Sequence, residues 1–220
     1  MLSPEMEDYL KTIYEHQRET EGPVSTSAIA ESMDVTPPTA TSMMEKLEDR
    51  GFVEREKYKG VRLSEEGETI AIEVIRHHRL LETYLTEKLG FDWAEVHEEA
   101  DRLEHHISEE FERRVAATLG EPDVDPHGDP IPSDALEPVD EEVGTVLSEC
   151  GEGDVVEVSR VRDRDPDELE YLDDVGIVPG TTLTVVEVAP IGLVEVELGD
   201  GSTVSLPEHV AATIRVVDSS

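Results

Sequence analysis

The N-terminal part of the chain alternates between helical and strand-like hydrophobic patterns. Apolar side chains recur at helical spacing over residues 5–18, at Met6, Tyr9, Leu10, Ile13 and Tyr14. Two shorter helices are predicted over residues 26–33 and 37–50, because Ser25 and Thr36 suit N-cap positions and Pro37 suits a first helical turn. Residues 52–56 and 60–63 then alternate as two short strands. Two helices joined by a tight turn and followed by a basic hairpin predict a winged helix-turn-helix.

The pattern changes twice further along the chain. Long helices are predicted over residues 64–89 and 93–119, where apolar residues continue at helical spacing. Residues 121–138 contain five prolines and one glycine, which predicts an extended, polar linker. From residue 141 onward, short alternating runs separated by Gly and Pro predict a small all-β domain, a barrel. The sequence therefore predicts an α+β protein with domains over residues 1–73, 74–139 and 140–220.

Taken over the whole chain, the charge argues against binding to nucleic acid. The formal net charge is −36, from 54 acidic and 18 basic residues, and DNA affinity comes largely from Lys and Arg side chains on phosphates. The acidity is spread along the whole chain, as we expect of a halophilic protein whose charged surface stays hydrated in a high-salt cytoplasm. Positions 46–62 are the exception, with a local charge of +2. Their basic residues are Lys46, Arg50, Arg55, Lys57, Lys59 and Arg62, and DNA is expected to bind there.

Other features of the composition point to the cytoplasm. The sequence has no run of 18 apolar residues that could span a membrane, and its acidic N-terminus lacks the apolar core of a signal peptide. A single cysteine, Cys150, excludes an internal disulfide and fits a reducing compartment.

Four side chains that can bind metal lie close together in the predicted helix over residues 93–119. On an ideal helix His97, Asp101, Glu104 and His105 fall within an arc of about 100°, beside an apolar stripe. Such a cluster at a buried face needs a cation among its members or must stay protonated. Oxygen and imidazole ligands without sulfur suit Mn²⁺, Fe²⁺ or Zn²⁺. His106 falls on the opposite side and is predicted not to be a ligand. The alternative is a solvated acidic helix with incidental histidines.

A dinuclear metal-dependent hydrolase is the alternative function. Carboxylates and histidines around two ions are also found in hydrolytic centres. However, the sequence shows no Gly-rich phosphate loop, no strand-end nucleophile and no H-E-x-x-H motif. We therefore expect a binding protein and not an enzyme.

Four segments of the chain match a known family. They read MEDYLKTIY at residues 6–14, HRLLE at 78–82, HEEADRLEHH at 97–106 and HGDPIP at 127–132. Together they resemble the diphtheria toxin repressor and manganese transport regulator family, in its longer form with three domains. The resemblance implies a winged helix-turn-helix, a helical dimerisation domain and an SH3-like, FeoA-type β domain. It also implies a homodimer that represses metal-uptake genes when Mn²⁺ or Fe²⁺ is bound, with two ions per subunit.

The resemblance also assigns metal ligands. One site matches Asp8, Asp101, Glu104 and His105, and the second matches His78, Glu82 and His97. Longer members add ligands from the C-terminal domain, for which Asp163, Asp165 and Glu168 are candidates here. Iron-sensing members have Met and Cys where this chain has Asp8 and Asp101, so the first site resembles that of the manganese-sensing members. Lys11 replaces one further acid of those members.

The resemblance implies a mechanism in which a cation clamps Asp8, on the first helix, to ligands of the dimerising domain. The dimer would then hold two recognition helices roughly 34 Å apart, one turn of DNA, on a palindromic operator of double-stranded DNA. Recognition is predicted for the helix over residues 37–50, whose hydroxyls and Pro and Thr carbons can meet phosphates and base edges. The predicted contacts are Thr36, Pro37, Pro38, Thr39, Thr41, Ser42 and Lys46, with Lys57 and Lys59 from the hairpin.

Overall fold

The computed structural model describes residues 2–20, 22–56, 59–139, 144–162 and 166–219. It divides the chain into two units. The first contains residues 1–78, 104–107 and 132–138, and the second contains residues 79–103, 108–131 and 139–220. The division falls inside one helix, between His78 and Arg79.

The first unit begins with three helices and a two-stranded hairpin. The helices are α1 (Pro4–Thr20), α2 (Thr26–Ser32) and α3 (Pro37–Asp49), and the strands are β1 (Val53–Glu56) and β2 (Gly60–Leu63). The two strands pair in antiparallel register, with Val53 opposite Leu63. Side chains from all three helices form one core, in which Leu10, Ile29 and Met44 are fully buried. The predicted winged helix-turn-helix is confirmed, and the predicted bounds agree to within two residues.

The next helix, α4 (Glu65–Tyr84), starts against this core and ends with a π-helical turn over Leu85–Leu89. Its residues Ala71, Ile72 and Ile75 are buried with the side chains of α1 and α3. Gly90, in the left-handed conformation at φ 73°, ends the turn. The predicted helix over residues 64–89 is thus present, with its last turn widened.

The single long helix predicted over residues 93–119 is wrong. The structure has two helices, α5 (Val96–Leu103) and α6 (Glu109–Leu119). Ser108 starts α6 as its N-cap, because its hydroxyl accepts a hydrogen bond from the Phe111 amide at 3.3 Å. Glu104 and His105 therefore follow the end of α5 in a turn, and the helical arc that grouped them with His97 and Asp101 does not apply.

Residues 121–138 contain no helix or regular strand, as the linker prediction requires, but part of the segment is packed. Asp125, His127 and Asp129 are all less than 7% exposed. An isolated bridge pairs Val124 with Pro130, and the Asp125 amide donates to the Asp129 carbonyl at 2.9 Å. The residues between Val124 and Pro130 therefore form an ordered hairpin-like loop, which we call the 124–130 loop.

The C-terminal part of the second unit is a six-stranded antiparallel sheet. Its strands are β3 (Thr145–Val146), β4 (Val155–Val161), β5 (Thr182–Ala189), β6 (Leu193–Leu198), β7 (Thr203–Pro207) and β8 (Ile214–Asp218). They lie in the order β3-β8-β4-β5-β6-β7. The predicted SH3-like β domain is present, but among the described residues β3 and β7 do not pair, so the sheet is not closed into a barrel. Two short helices, α7 (Pro166–Asp174) and α8 (Glu208–Ala211), were not predicted.

None of the helices in the described part of the chain is long and apolar enough to cross a membrane.

Candidate metal centre

The first candidate metal cluster joins α1 to the turn that follows α5. Asp8, Glu104 and His105 each direct one possible ligand atom into a group whose members lie within 4.8 Å of one another. The His105 Nε2 atom is 2.8 Å from Asp8 Oδ1 and 3.4 Å from Glu104 Oε1. The opposite ring nitrogen, Nδ1, is 2.7 Å from Glu7 Oε2. Residues almost a hundred positions apart therefore form one cluster within the first unit.

Glu104 is the buried centre of this cluster. Its side chain is 1% exposed, and its Oε2 atom lies 2.5 Å from His78 Nδ1. Lys11 Nζ is 3.1 Å from the same oxygen and 3.3 Å from Oε1. The main-chain carbonyl of Glu104 is 3.1 Å from His77 Nδ1. The carboxylate is thus held by α1 and α4 together.

The environment of His105 favours its charged form. Burial alone lowers the pKa of the imidazole, but hydrogen bonds to Asp8 and Glu7 and the charges of Glu104 and Asp8 outweigh it and raise the pKa to about 9. A metal ion that binds the Nε2 atom must therefore displace a proton. The same carboxylates that stabilise the proton can stabilise a divalent cation.

A second candidate cluster lies wholly within the second unit. Ligand atoms of Glu82, Asp125 and His127 lie within 4.8 Å of one another, and all three residues are buried. Two imidazoles flank the Glu82 carboxylate: His97 Nδ1 is 3.1 Å from Oε1, and His127 Nδ1 is 3.7 Å from Oε2. Two carboxylates and two imidazoles therefore converge around the end of α4.

The 124–130 loop fixes the orientation of its two members of this cluster. Asp125 Oδ1 accepts hydrogen bonds from the amides of His127 and Asp129, at 2.8 and 2.9 Å. His127 Nε2 lies 3.0 Å from the main-chain carbonyl oxygen of Trp93. The imidazole of His127 also packs against the indole ring of Trp93, with ring centroids 4.9 Å apart. A hydrogen bond from Nε2 to that carbonyl directs Nδ1 toward Glu82, the tautomer that a metal ligand needs.

Burial also shifts the pKa of Asp125. Desolvation and the negative charges of Asp129 and Glu82 raise the pKa of its carboxyl well above the usual value. Arg79 offsets part of this effect, since its Nε atom is 3.9 Å from Asp125 Oδ2. A divalent cation would stabilise the ionised form directly, so the chemistry of this donor set fits a metal ion.

The structure places the predicted metal ligands as follows. It brings Asp8, Glu104 and His105 together, and it places Glu82 beside His97. Asp101 is in the second unit, where its carboxylate is 3.5 Å from His97 Nε2. Glu168 lies on α7 with its carboxylate 3.8 Å from His209, and Asp163 and Asp165 lie outside the described residues. His106, predicted not to be a ligand, is exposed.

Three residues of these clusters were not predicted as ligands: Glu7, Asp125 and His127. Glu7 precedes Asp8, and neighbouring helical residues normally face different directions. Asp125 and His127 lie in a segment without periodicity, which gives no indication of where a side chain points. Two signals were available: the HGDPIP segment at residues 127–132, which carries part of the family resemblance, and the alternation of acid and histidine at positions 125, 127 and 129.

The predicted DNA-binding surface is accessible on α3. The candidates at the start of α3 are exposed, namely Thr36, Pro37, Pro38, Thr39 and Ser42, except Thr41, which is half-buried. The Thr41 hydroxyl donates to the Pro37 carbonyl at 2.9 Å, and the hydroxyls of Thr36 and Thr39 are 2.9 Å apart. Lys46 is exposed, Lys59 is exposed beside Glu56 at 3.1 Å, and Lys57 lies outside the described residues.

Comparison with protein families gives three matches in succession along the chain. Residues 1–61 match the N-terminal DNA-binding domain of iron-dependent repressors, and residues 64–133 match their metal-binding and dimerisation domain. Residues 145–218 match the FeoA domain.

Characterised proteins match over almost the whole chain. The iron-dependent repressor IdeR of Mycobacterium tuberculosis is 34% identical over 221 residues, which cover 96% of this chain and 95% of IdeR. The diphtheria toxin repressor of Corynebacterium diphtheriae is 31% identical over 219 residues, covering 96% and 95%.

Two solved structures also align with almost the whole chain. A manganese-dependent transcriptional repressor in complex with manganese aligns with a TM-score of 0.89 and 38% identity, covering 97% of this chain and 100% of that one. The manganese regulator SloR aligns with a TM-score of 0.80 and 33% identity, covering 99% and 100%.

Proposed function

The chain belongs to the family of iron-dependent repressors and is a metal-dependent transcriptional repressor; we propose that Mn²⁺ or Fe²⁺ activates it and that each subunit binds two ions. Its family consists of DNA-binding regulators with a dimerisation domain, so the hydrolase alternative is not supported. Repression of metal-uptake genes, in the cytoplasm, is the role that we propose for it. The predicted domains over residues 1–73, 74–139 and 140–220 remain part of this proposal.

One observation supports the first proposed metal site. Asp8 belongs to α1 of the DNA-binding region, whereas Glu104 and His105 come from the turn after α5, and their ligand atoms lie within 4.8 Å of one another. Carboxylate oxygens and an imidazole are hard and intermediate ligands that suit Mn²⁺ and Fe²⁺. A cation bound there would hold α1 against that turn. Asp101, three residues before Glu104, is retained as a predicted fourth ligand.

We place the second ion at Glu82, His97 and His127, with Asp125 as a further ligand. The buried group formed by Glu82, Asp125 and His127, with His97 3.1 Å from Glu82, supports this assignment. It shares Glu82 and His97 with the sequence prediction and adds the two loop residues. His78 remains a predicted ligand, as do Asp165 and Glu168.

DNA binding would follow from the two ions through the conformation that they favour. A metal that bridges α1 and the 104–105 turn stabilises one arrangement of the DNA-binding region over others, and so acts as a ligand that shifts a conformational equilibrium. In a homodimer this arrangement would set two copies of α3 one DNA turn apart, which fits a palindromic operator. The exposed hydroxyls and prolines at the start of α3 would contact it, with Lys46, Lys57 and Lys59 on phosphates.

The test is operator binding across a metal series. A labelled promoter fragment from a metal-uptake gene is titrated with the protein in chelator alone, and then with Mn²⁺, Fe²⁺, Co²⁺ or Zn²⁺ under anaerobic conditions. Binding should require metal and should be lost when chelator is added in excess. Equal affinity with and without chelator would show that the metal does not control DNA binding.

Metal stoichiometry tests the two sites separately. Glu104→Ala and His127→Ala should each lose one of two bound Mn²⁺ ions in equilibrium dialysis, because each substitution removes a ligand from a different cluster. Retention of both ions in either variant would contradict the corresponding site.

A further inference from the structure

Lys11 forms an ion pair with the first metal cluster. It lies on α1, three residues after Asp8, and its Nζ atom is 3.1 and 3.3 Å from the two oxygens of Glu104. The Lys11 side chain is 16% exposed and that of Glu104 is 1% exposed. A positive charge is thus bound to both oxygens of the most buried carboxylate of the cluster.

The Lys11–Glu104 ion pair offsets electrostatic repulsion among the carboxylates of the first metal cluster. Glu7, Asp8 and Glu104 surround His105, and three carboxylates close together repel one another unless cations lie among them. The Lys11 ammonium, which contacts both oxygens of Glu104, supplies a positive charge within this group. The cluster therefore has a counter-charge of its own before any metal arrives.

The same ion pair opposes metal binding. An ion coordinated by Glu104 takes at least one of the oxygens that Lys11 contacts, and a divalent cation next to an ammonium group is repelled. Lysine has a flexible stem of four carbons, so its ammonium can leave Glu104 and move toward solvent without a change in the backbone. Binding of the metal and withdrawal of Lys11 are then one exchange of cations at Glu104.

We propose that Lys11 is a built-in competitor of the metal for Glu104, which sets the metal concentration at which the repressor becomes active. The proposal rests on the first metal site proposed above. Lys11 does not coordinate the ion: it occupies a ligand in the metal-free state, so its removal should make metal binding tighter. A purely structural salt bridge that persists with metal bound would have the opposite effect or none.

The test compares Lys11→Met with the unchanged full-length protein in titrations with Mn²⁺ alone. Methionine keeps the length of the stem and removes the charge. Because one unit of charge is removed a few ångströms from the ion, the Mn²⁺ dissociation constant of this site should fall by about tenfold. The melting temperature without metal should also fall, since Glu104 loses a partner, and Mn²⁺ should raise it by more than in the unchanged protein.

Two further variants serve as controls. Lys11→Arg keeps the charge and should bind Mn²⁺ as the unchanged protein does, whereas Lys11→Gln should resemble Lys11→Met and gives a second measurement if the methionine variant folds poorly. Lys88→Met removes the same charge from an exposed lysine that pairs with neighbouring Glu87 at 3.0 Å, and should leave the dissociation constant unchanged.

The outcomes separate the two proposals. Equal or weaker Mn²⁺ binding in both Lys11→Met and Lys11→Gln overturns the competitor role. Glu104→Ala tests the site itself: if it binds as many ions as the unchanged protein, the first metal site is wrong. If Glu104→Ala loses one ion while the Lys11 variants change nothing, the site stands and only the role of Lys11 fails.

Discussion

At the level of single residues, Glu104, His105 and His106 follow one another in the chain and have different environments. Glu104 is 2% exposed between α1 and α4, and His105 is held between Glu7 and Asp8. His106 is exposed. The backbone turn after α5, and not the helical arc used in the prediction, separates the two inward side chains from the outward one.

This difference predicts how three alanine variants behave. Glu104→Ala and His105→Ala should abolish the response of operator binding to Mn²⁺, because each removes a ligand of the first site. His106→Ala should change the midpoint by no more than about twofold, as expected for a surface substitution away from a buried site. The measurement is fluorescence anisotropy of a labelled operator at increasing Mn²⁺. A loss of response in His106→Ala as large as in the other two would show that the wrong side chains were assigned.

Two other residues, Asp8 and Asp101, are expected to set the metal selectivity. Affinity in a given site generally rises from Mn²⁺ through Fe²⁺ and Co²⁺ to Ni²⁺, so a Mn²⁺ sensor must favour hard oxygen ligands over soft ones. Asp8→Met combined with Asp101→Cys should therefore shift activation toward Fe²⁺, Co²⁺ or Ni²⁺ and weaken the response to Mn²⁺. Anaerobic anisotropy titrations with each metal provide the check. An unchanged order of metals in the double variant would show that these positions do not set selectivity.

At the level of elements, the 124–130 loop connects the second metal cluster to the C-terminal sheet. The Val161 amide of β4 donates to the His127 carbonyl at 2.9 Å, and Asp129 pairs with both Arg79 and Arg160. Gly128 lies where the backbone of the loop packs against the backbone of β4. Its φ is 88°, and a Cβ atom there would lie 2.1 Å from the Ser159 carbonyl oxygen. The loop can dock on β4 only because this position has no side chain.

Gly128→Ala should accordingly disturb both the loop and the metal site that it carries. The left-handed conformation costs a residue with a Cβ atom about 1–2 kcal/mol, and the clash with backbone should add about 1–3 kcal/mol. The free energy of unfolding should fall by this total in urea melts, and the second Mn²⁺ should bind more weakly.

Gly153→Ala is the matched control for that variant. Gly153 has nearly the same φ, 90°, but nothing lies within 4 Å of the added Cβ atom. The free energy of unfolding of Gly153→Ala should fall only by the cost of the left-handed conformation, about 1–2 kcal/mol. Equal losses in the two variants would mean that the close approach to Ser159 is not a constraint.

Elements with a strong periodic pattern were predictable from the sequence, and breaks within long patterns were not. The helices of the DNA-binding region and the β character of the C-terminal domain were predicted because their hydrophobic spacing is regular and Gly, Pro or capping residues bound the elements. The break between α5 and α6 contains no Gly or Pro, and its one signal is Ser108 followed by Glu109 and Glu110. Glu104 and His105 make their tertiary contacts from that turn. Residue spacing along an ideal helix could not show those contacts.

The candidate site was predictable to the extent that the family resemblance assigned its ligands. Asp8, Glu82 and His97 lie on helices and Glu104 and His105 lie in a turn, and the resemblance assigned all five. Asp125 and His127 depend on how the 124–130 loop folds onto Trp93 and β4, which rests on contacts far apart in the chain. Such contacts cannot be predicted from the hydrophobic pattern of the sequence alone.

At the level of the whole molecule, the dominant property is a formal net charge of −36 on 220 residues. Like charges over a whole surface destabilise the folded state by mutual repulsion, and salt weakens this repulsion by shortening its range. The screening length falls from about 10 Å at 0.1 M to about 3 Å at 1 M. The acidic residues are spread along the chain, so no single ion pair can offset them.

The folded protein should therefore be most stable in concentrated salt. Its melting temperature should rise steadily as KCl is increased from about 0.1 M to about 2 M, with most of the rise below about 1 M, where the screening length changes most. As the matched variant we choose the exposed acids Glu170, Asp173, Asp174 and Glu187, each replaced by its amide. This variant carries four fewer negative charges, so it should melt at a higher temperature in low salt and gain less from added KCl. Two curves with the same slope, or a melting temperature that falls with KCl, would show that surface repulsion does not control the stability of this repressor.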